Sequence, residues 1–187
     1  MSGIIRSFSA EDVPDVKQFT DEEIGLNYFS RKELAHLQHQ AEKAGKNCSF
    51  VLEIDGVIKG FRLTYPPGLW GAGKGTGLRP DLWPHPLDQT GYFQSLFVCP
   101  SEQRKGWGQK LSSSSMEALK KIGAKGIVCH SWLASPGNSS QIYLEKMGFK
   151  AIVDHPDYWK AIDYECPLCI KPCLCTAREM YLEIGEV

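Results

Sequence analysis

The stretch Val98-Cys99-Pro100-Ser101-Glu102-Gln103-Arg104-Lys105-Gly106-Trp107-Gly108 constrains this chain more than any other part of it. Before it, Tyr92 to Val98 is rich in strand formers, and Pro100, which has no N–H to give a sheet, ends the strand. After it, Leu111, Ala118, Leu119 and Ile122 form the apolar stripe of a helix running from about Gly106 to Ile122. A strand that feeds a helix through a short glycine turn is a building unit of mixed α/β folds. The first turn of that helix leaves backbone N–H groups without intrahelical partners, and the helix dipole adds partial positive charge there. Gly106 and Gly108 remove side chains that would hold an anion away, and Arg104 and Lys105 add formal charge. The chemistry predicted for the 103–108 turn is pyrophosphate binding.

The rest of the chain reads as alternating short elements. Ile4 to Phe8 is a first strand, and Ser9 with Asp12 begins a helix that tolerates Pro14 in its first turn. Ser30 and Glu33 form a capping box opening a second helix, with Leu34, Leu37, Ala41 and Ala44 on one face and Gly45 closing it. Phe50, Leu52 and Ile54 alternate as a strand, Asp55-Gly56 predicts a two-residue hairpin, and Val57 to Leu63 returns. Pro66 to Thr90 is a long Gly- and Pro-rich loop, of the kind that is functional or disordered. Ile127 to Trp132 is a strand, and Asn138 with Gln141 caps a helix ending at Gly148. Phe149 to Val153 and Arg178 to Ile184 are the last strands. No repeat or boundary interrupts this order, so 1–187 is expected to be one domain.

Two segments carry a family resemblance. Gln103-x-x-Gly106-x-Gly108, following Leu96-Phe97-Val98-x-Pro100, resembles the central motif of the GNAT superfamily of N-acetyltransferases. Asn138-Ser139-Ser140-Gln141-Ile142-Tyr143-Leu144-Glu145-Lys146-Met147-Gly148-Phe149 resembles that family's downstream asparagine, helix and closing glycine-phenylalanine. The resemblance implies a mixed, mostly antiparallel sheet of about seven strands with helices on both faces. It implies acetyl-CoA as co-substrate, with its pantetheine along the backbone of Phe97 and Val98. The pyrophosphate would lie on Gln103, Arg104, Lys105, Gly106, Trp107 and Gly108, and Asn138 would touch the cofactor arm. The strands from Tyr92 and Ile127 are expected to splay and admit the thioester, which a primary amine attacks directly. The departing thiolate needs a proton. Many relatives supply it from a tyrosine just before the glutamate-lysine pair; Leu144 stands there in this chain, with Tyr143 one residue earlier. Gln94 stands where relatives place a basic glutamate, which leaves His130 or a water chain to accept the amine's proton. The altered base and acid also fit a catalytically silent CoA-binding sensor. Dimers are common in the family.

Cys166-x2-Cys169-x3-Cys173-x-Cys175 gathers four thiols in a segment, about 163–176, that is an insertion relative to the family. Thiolates are zinc ligands, and an iron–sulfur cluster, a redox-active disulfide pair or metal-free thiols also suit the residues. Trp70 and Trp83 in the long loop can wall an acceptor site or pack against one another. Gly68, Gly73 and Lys74 mimic a P-loop, but Gly75 replaces the magnesium-binding hydroxyl, so nucleotide hydrolysis is rejected. Formal net charge is −1, without a basic cluster that would favour nucleic acid. No apolar run is long enough to cross a membrane and Met1 to Ile4 begins no signal peptide, so a cytoplasmic location is expected.

Overall fold

The computed structural model describes residues 3–169 and 171–185. Strands β1 (Gly3–Ser7), β4 (Phe50–Ile54), β5 (Val57–Tyr65), β6 (Thr90–Val98), β7 (Gly126–Trp132), β8 (Lys150–His155) and β9 (Ala177–Glu183) form one sheet in the order β1-β4-β5-β6-β7-β9-β8. Every neighbouring pair is antiparallel except β6–β7. The β4–β5 connection is the predicted hairpin: Asp55 and Gly56 both take positive φ, 52° and 77°, matching the right-handed twist of the strands they join.

Helices cover both faces. On one, α1 (Val13–Glu23) and α2 (Arg31–Gln40) set Val16, Phe19, Leu34 and Leu37 against Phe61 and Leu63 of β5. On the other, α3 (Trp107–Lys121) and α4 (Ser139–Lys146) set Ala118, Leu119 and Leu144 against Phe93, Ile127, Cys129 and Met180. Each such large apolar side chain stabilises the fold by roughly 1.5–3 kcal/mol when fully buried. The 66–89 loop covers the second half of the α1/α2 face, where Trp70 and Trp83 join Tyr92, Val128 and Tyr181.

Two local expectations are corrected. The α2 helix stops at Gln40, and a small hairpin, β2 (Glu42–Lys43) with β3 (Lys46–Asn47), follows it. Ala44 and Gly45 adopt φ 51° and 70°, so they turn the hairpin and do not extend the apolar helix face. Asn138 does not cap α4 through its side chain; its backbone takes φ 54°, and Ser135 Oγ accepts from Ser140 N at 3.1 Å instead. Among the described residues, no helix is long and apolar enough to cross a membrane.

Candidate active site

The site begins with a fault in the sheet. In the β5–β6 ladder Leu63 faces Ser95 and Thr64 faces Phe93, so Gln94 is an extra, bulged residue. A bulge reverses the alternation of side chains. Tyr92 and Phe93 pack on opposite faces, into the aromatic cluster and beneath α3, but beyond the bulge Leu96 and Val98 turn to α3 while Phe97 meets Phe19. At the same place the parallel pairing of β6 with β7 ends, its last pair being Phe93 with Cys129. Beyond it β7 stays paired with β9 to Trp132, and β6 with β5 to Val98. The edge of β6 from Gln94 onward therefore lacks a strand partner on the β7 side. Unpaired strand edges present N–H and C=O groups to an extended ligand.

That edge runs into the 99–106 turn. Gln103 Nε2 donates to Val98 O at 2.9 Å and ties the turn back to the strand end. Arg104 and Gly106 have φ of 62° and 83°, and α3 starts at Trp107. A Cβ at Gly106 would touch nothing within 4 Å, so glycine is required there by backbone conformation and not by crowding. Gly108 is different: its missing Cβ faces Leu96 at 3.5 Å and Tyr143 at 3.8 Å. Arg104 and Lys105 are exposed, and Lys105 pairs with Glu102 at 3.0 Å. Among the described residues Trp107 Nε1 is buried without a hydrogen-bond partner, and Lys110 Nζ lies 4.4 Å above its ring. An open strand edge leading into a helix N-terminus suits an extended ligand that carries an anionic group at one end. Asn138 lies exposed at the entry to α4.

Tyr143 projects from α4 onto the first turns of α3. Its hydroxyl donates to Gly108 O at 2.9 Å and lies 2.7 Å from Ser112 Oγ. Ser112 Oγ also accepts from Arg62 Nε and Nη2, at 3.1 and 2.8 Å. Arg62 is buried, its guanidinium 4.2 Å over the Phe93 ring, and among the described residues no carboxylate pairs with it. Burial pulls its pKa down, against the nearby Tyr143 and Cys129.

On the α1/α2 side of the bulge, Gln94 lines a cavity of about 160 Å³ with Phe29, Glu33, Tyr65, Gly73 and Lys74. The Lys74 side chain is only 7% exposed. It pairs with Glu33 at 2.8 Å and lies 4.3 and 4.9 Å over the rings of Phe29 and Tyr28. Burial lowers its pKa, against the pull of Glu33. Trp70 and Trp83 do not line this cavity. They stack, 6.0 Å apart, and their Nε1 groups donate to Thr90 O and Glu179 Oε1.

His130 sits behind the 73–77 segment. Its Nε2 donates to Gly77 O at 3.1 Å, which leaves Nδ1 to accept from the Tyr92 hydroxyl at 3.2 Å, and its ring stacks on Tyr158 at 4.4 Å. Burial lowers the His130 pKa, partly offset by Glu179. Glu179 is fully buried at the centre of this network, accepting from Trp83 Nε1, Arg79 N and His155 Nε2 at 2.5, 3.1 and 2.8 Å. Burial pushes the Glu179 pKa up, but those donors and His130 outweigh it and hold the carboxyl below its usual value. Arg62 and Glu179 were not singled out from the sequence, and Lys74 was read only as part of the rejected P-loop look-alike. For Lys74 the available signal was a lysine between two glycines; Arg62 shares its strand with Lys59, and Glu179 shares its strand with Arg178 and Glu183, so neither stood out by charge.

Cys166, Cys169, Cys173 and Cys175 converge between β8 and β9, their sulfurs all within 4.8 Å of one another. Backbone N–H groups of Leu168 and Cys169 point at Cys166 and hold its thiol down to about 7, against burial.

The family and the fold agree with this geometry. The family model for the acetyltransferase (GNAT) family matches residues 15–149. Among solved structures, the ribosomal-protein-S18-alanine N-acetyltransferase of Escherichia coli superposes with TM-score 0.68 at 17% identity, covering 100% of this chain and 96% of its own. Ard1 of Thermoplasma volcanium gives 0.70 at 14% identity with both chains fully covered. The yncA protein of Salmonella typhimurium, solved with its cofactor acetyl-CoA, gives 0.67 at 17%, covering 100% and 96%. At these identities the superpositions establish the fold. A sequence search of curated proteins finds no match. On the family match over most of its length, the chain belongs to the acetyltransferase (GNAT) family.

Proposed function

We propose that the chain is an acetyl-CoA-dependent N-acetyltransferase whose acceptor is a cationic primary amine. The observation that carries this proposal is the parting of β6 from β7 after Phe93 and Cys129, directly upstream of the 103–108 turn. The free edge at Phe97 and Val98 takes the pantetheine amides, and the turn takes the pyrophosphate with Gln103, Arg104, Lys105, Gly106, Trp107 and Gly108. Asn138, at the entry to α4, contacts the cofactor arm. The acceptor enters from the Gln94 cavity, where Glu33 and the rings of Tyr28 and Phe29 already hold one ammonium, that of Lys74. Those features suit any cationic amine.

The amine, once neutral, attacks the thioester carbonyl; a C–N bond forms, the C–S bond breaks, and the thiolate takes a proton. Tyr143 supplies that proton, supported by its hydroxyl at the start of α3 beside Gly108 and Leu96. Ser112 links the Tyr143 hydroxyl to the buried Arg62 and so holds it at that place. Gln94 accepts no proton, and both nitrogens of His130 are engaged, so His130 takes the amine's proton only indirectly, through Tyr92 and water. Isothermal titration with acetyl-CoA tests the core of the proposal. Micromolar binding is expected for the wild type and none for Gly106→Trp, whose side chain opposes φ 83° and blocks the turn. Absent binding by the wild type, or undiminished binding by the variant, overturns it.

A further inference from the structure

The acetyl transfer makes no use of the segment between β8 and β9. From 156 to 176 it contains neither helix nor strand among its described residues. A stretch that long, ordered without a hydrogen-bonded ladder, needs some other constraint to offset its conformational entropy. Its side chains nonetheless form a compact cluster: Tyr158, Trp159, Tyr164, Cys173 and Cys175 are buried together, against Ala177 of β9.

We propose that Cys166, Cys169, Cys173 and Cys175 hold one zinc ion, and that this ion fixes the wall of the acceptor cavity. Zinc bound by four thiolates at about 2.3 Å in a tetrahedron places its sulfurs about 3.8 Å apart. Cys169 Sγ lies 3.5 Å and Cys166 Sγ 3.9 Å from Cys175 Sγ, and all four sulfurs fall within 4.8 Å of one another. A disulfide would bring two of them to about 2.05 Å, and all seven cysteines are free. The surrounding groups suit thiolates. Tyr164 O–H donates to Cys173 Sγ at 3.4 Å. The cation nearest in sequence, Lys171, is engaged 2.7 Å from Asp163. A soft divalent cation is what would compensate four clustered thiolates. A set of four sulfurs with no carboxylate or water-bearing position describes a closed structural site, not a catalytic one.

The link to the acceptor runs through aromatic contacts. Tyr164 meets Tyr28 edge to face at 5.0 Å, and Tyr28 is one of the two rings under Lys74. Tyr158 accepts from Thr76 N at 2.8 Å and so anchors the loop that carries Lys74. This second half of the proposal rests on the acyltransferase function; the first does not.

The test starts with metal analysis of chain purified under reducing conditions without added metal. One zinc per chain is expected, reduced to background in Cys169→Ala and retained in Cys99→Ala, whose thiol lies outside the loop. Should Cys169→Ala be insoluble, titrating wild-type thiols with a mercurial reagent must release one zinc as the four loop cysteines react. Cobalt exchanged into the site should give the intense sulfur-to-metal absorption of a tetrathiolate. Metal-free protein with four reactive thiols overturns the site, as does zinc that persists in Cys169→Ala; stoichiometric iron overturns the identity of the ion. Chelated protein should then bind acetyl-CoA with unchanged Kd but show a KM for the amine raised at least several-fold. An unchanged KM overturns the coupling and leaves the metal site standing, while failure of acetyl-CoA to bind even the metal-replete protein counts against the acyltransferase function alone.

Discussion

Tyr143 is offset by one position from the place its relatives use, and a single position rotates a helical side chain by about 100°. The proposed role as acid rests on its neighbours: Gly108 leaves room for the ring, and Ser112 connects the hydroxyl to Arg62. If Tyr143 protonates the thiolate, Tyr143→Phe should lower kcat by about 10² or more, the usual worth of a positioned acid. The Kd for acetyl-CoA should hardly change, because only a hydroxyl is lost. An unaltered kcat would leave Tyr143 as a packing residue. The glycines and Gln103 were legible in the sequence because positive φ and a helix N-terminus demand particular residue types within a few positions. Arg62, Lys74 and Glu179 were not, because the groups that give them meaning lie 50, 41 and 96 residues away.

Among the elements, strand and helix order followed from periodicity, and the exceptions have local causes. The hairpin at 42–47 was hidden because Ala41 and Ala44 prolong the helical spacing, while the positive φ of Ala44 leaves no trace in composition. The bulge at Gln94 was hidden because two polar residues, Gln94 and Ser95, between apolar pairs do not say which strand face each one takes. The 66–89 loop settles its own ambiguity by packing both tryptophans and delivering Lys74 to the cavity. If the acceptor binds in this cavity as proposed, the Lys74 ammonium on Glu33 competes with it. Lys74→Ala should therefore lower the KM for a cationic amine several-fold, a cation–π and ion-pair contribution of about 1 kcal/mol. Steady-state kinetics on the variant decide between this and a purely structural lysine, which would cost thermal stability with KM unmoved.

At the scale of the whole molecule, Glu179 joins parts distant in sequence: β7 through His130, β8 through His155, and the 66–89 loop through Arg79 and Trp83. The buried His130 has a folded pKa below its ordinary 6.5, so the unfolded chain takes up that proton first and stability falls as pH drops below 6.5. Glu179 is also depressed, below 4.5; its contribution is complete above that value and is lost as pH falls through the folded pKa. Both act in one direction, in successive windows. The melting temperature should be flat above neutrality, decline gently between 6.5 and 4.5, and decline more steeply below. Glu179→Gln keeps an oxygen for the Trp83 donor but cannot titrate, so it should melt lower than wild type at pH 7 and lose less on acidification. Wild-type and variant melting curves that stay parallel from pH 7 to the acid limit would show that other carboxylates, Asp12 beside Arg6 among them, carry the acid sensitivity instead. Converging curves would show that one buried carboxylate couples the loop that carries Lys74 to the strands that part beside it.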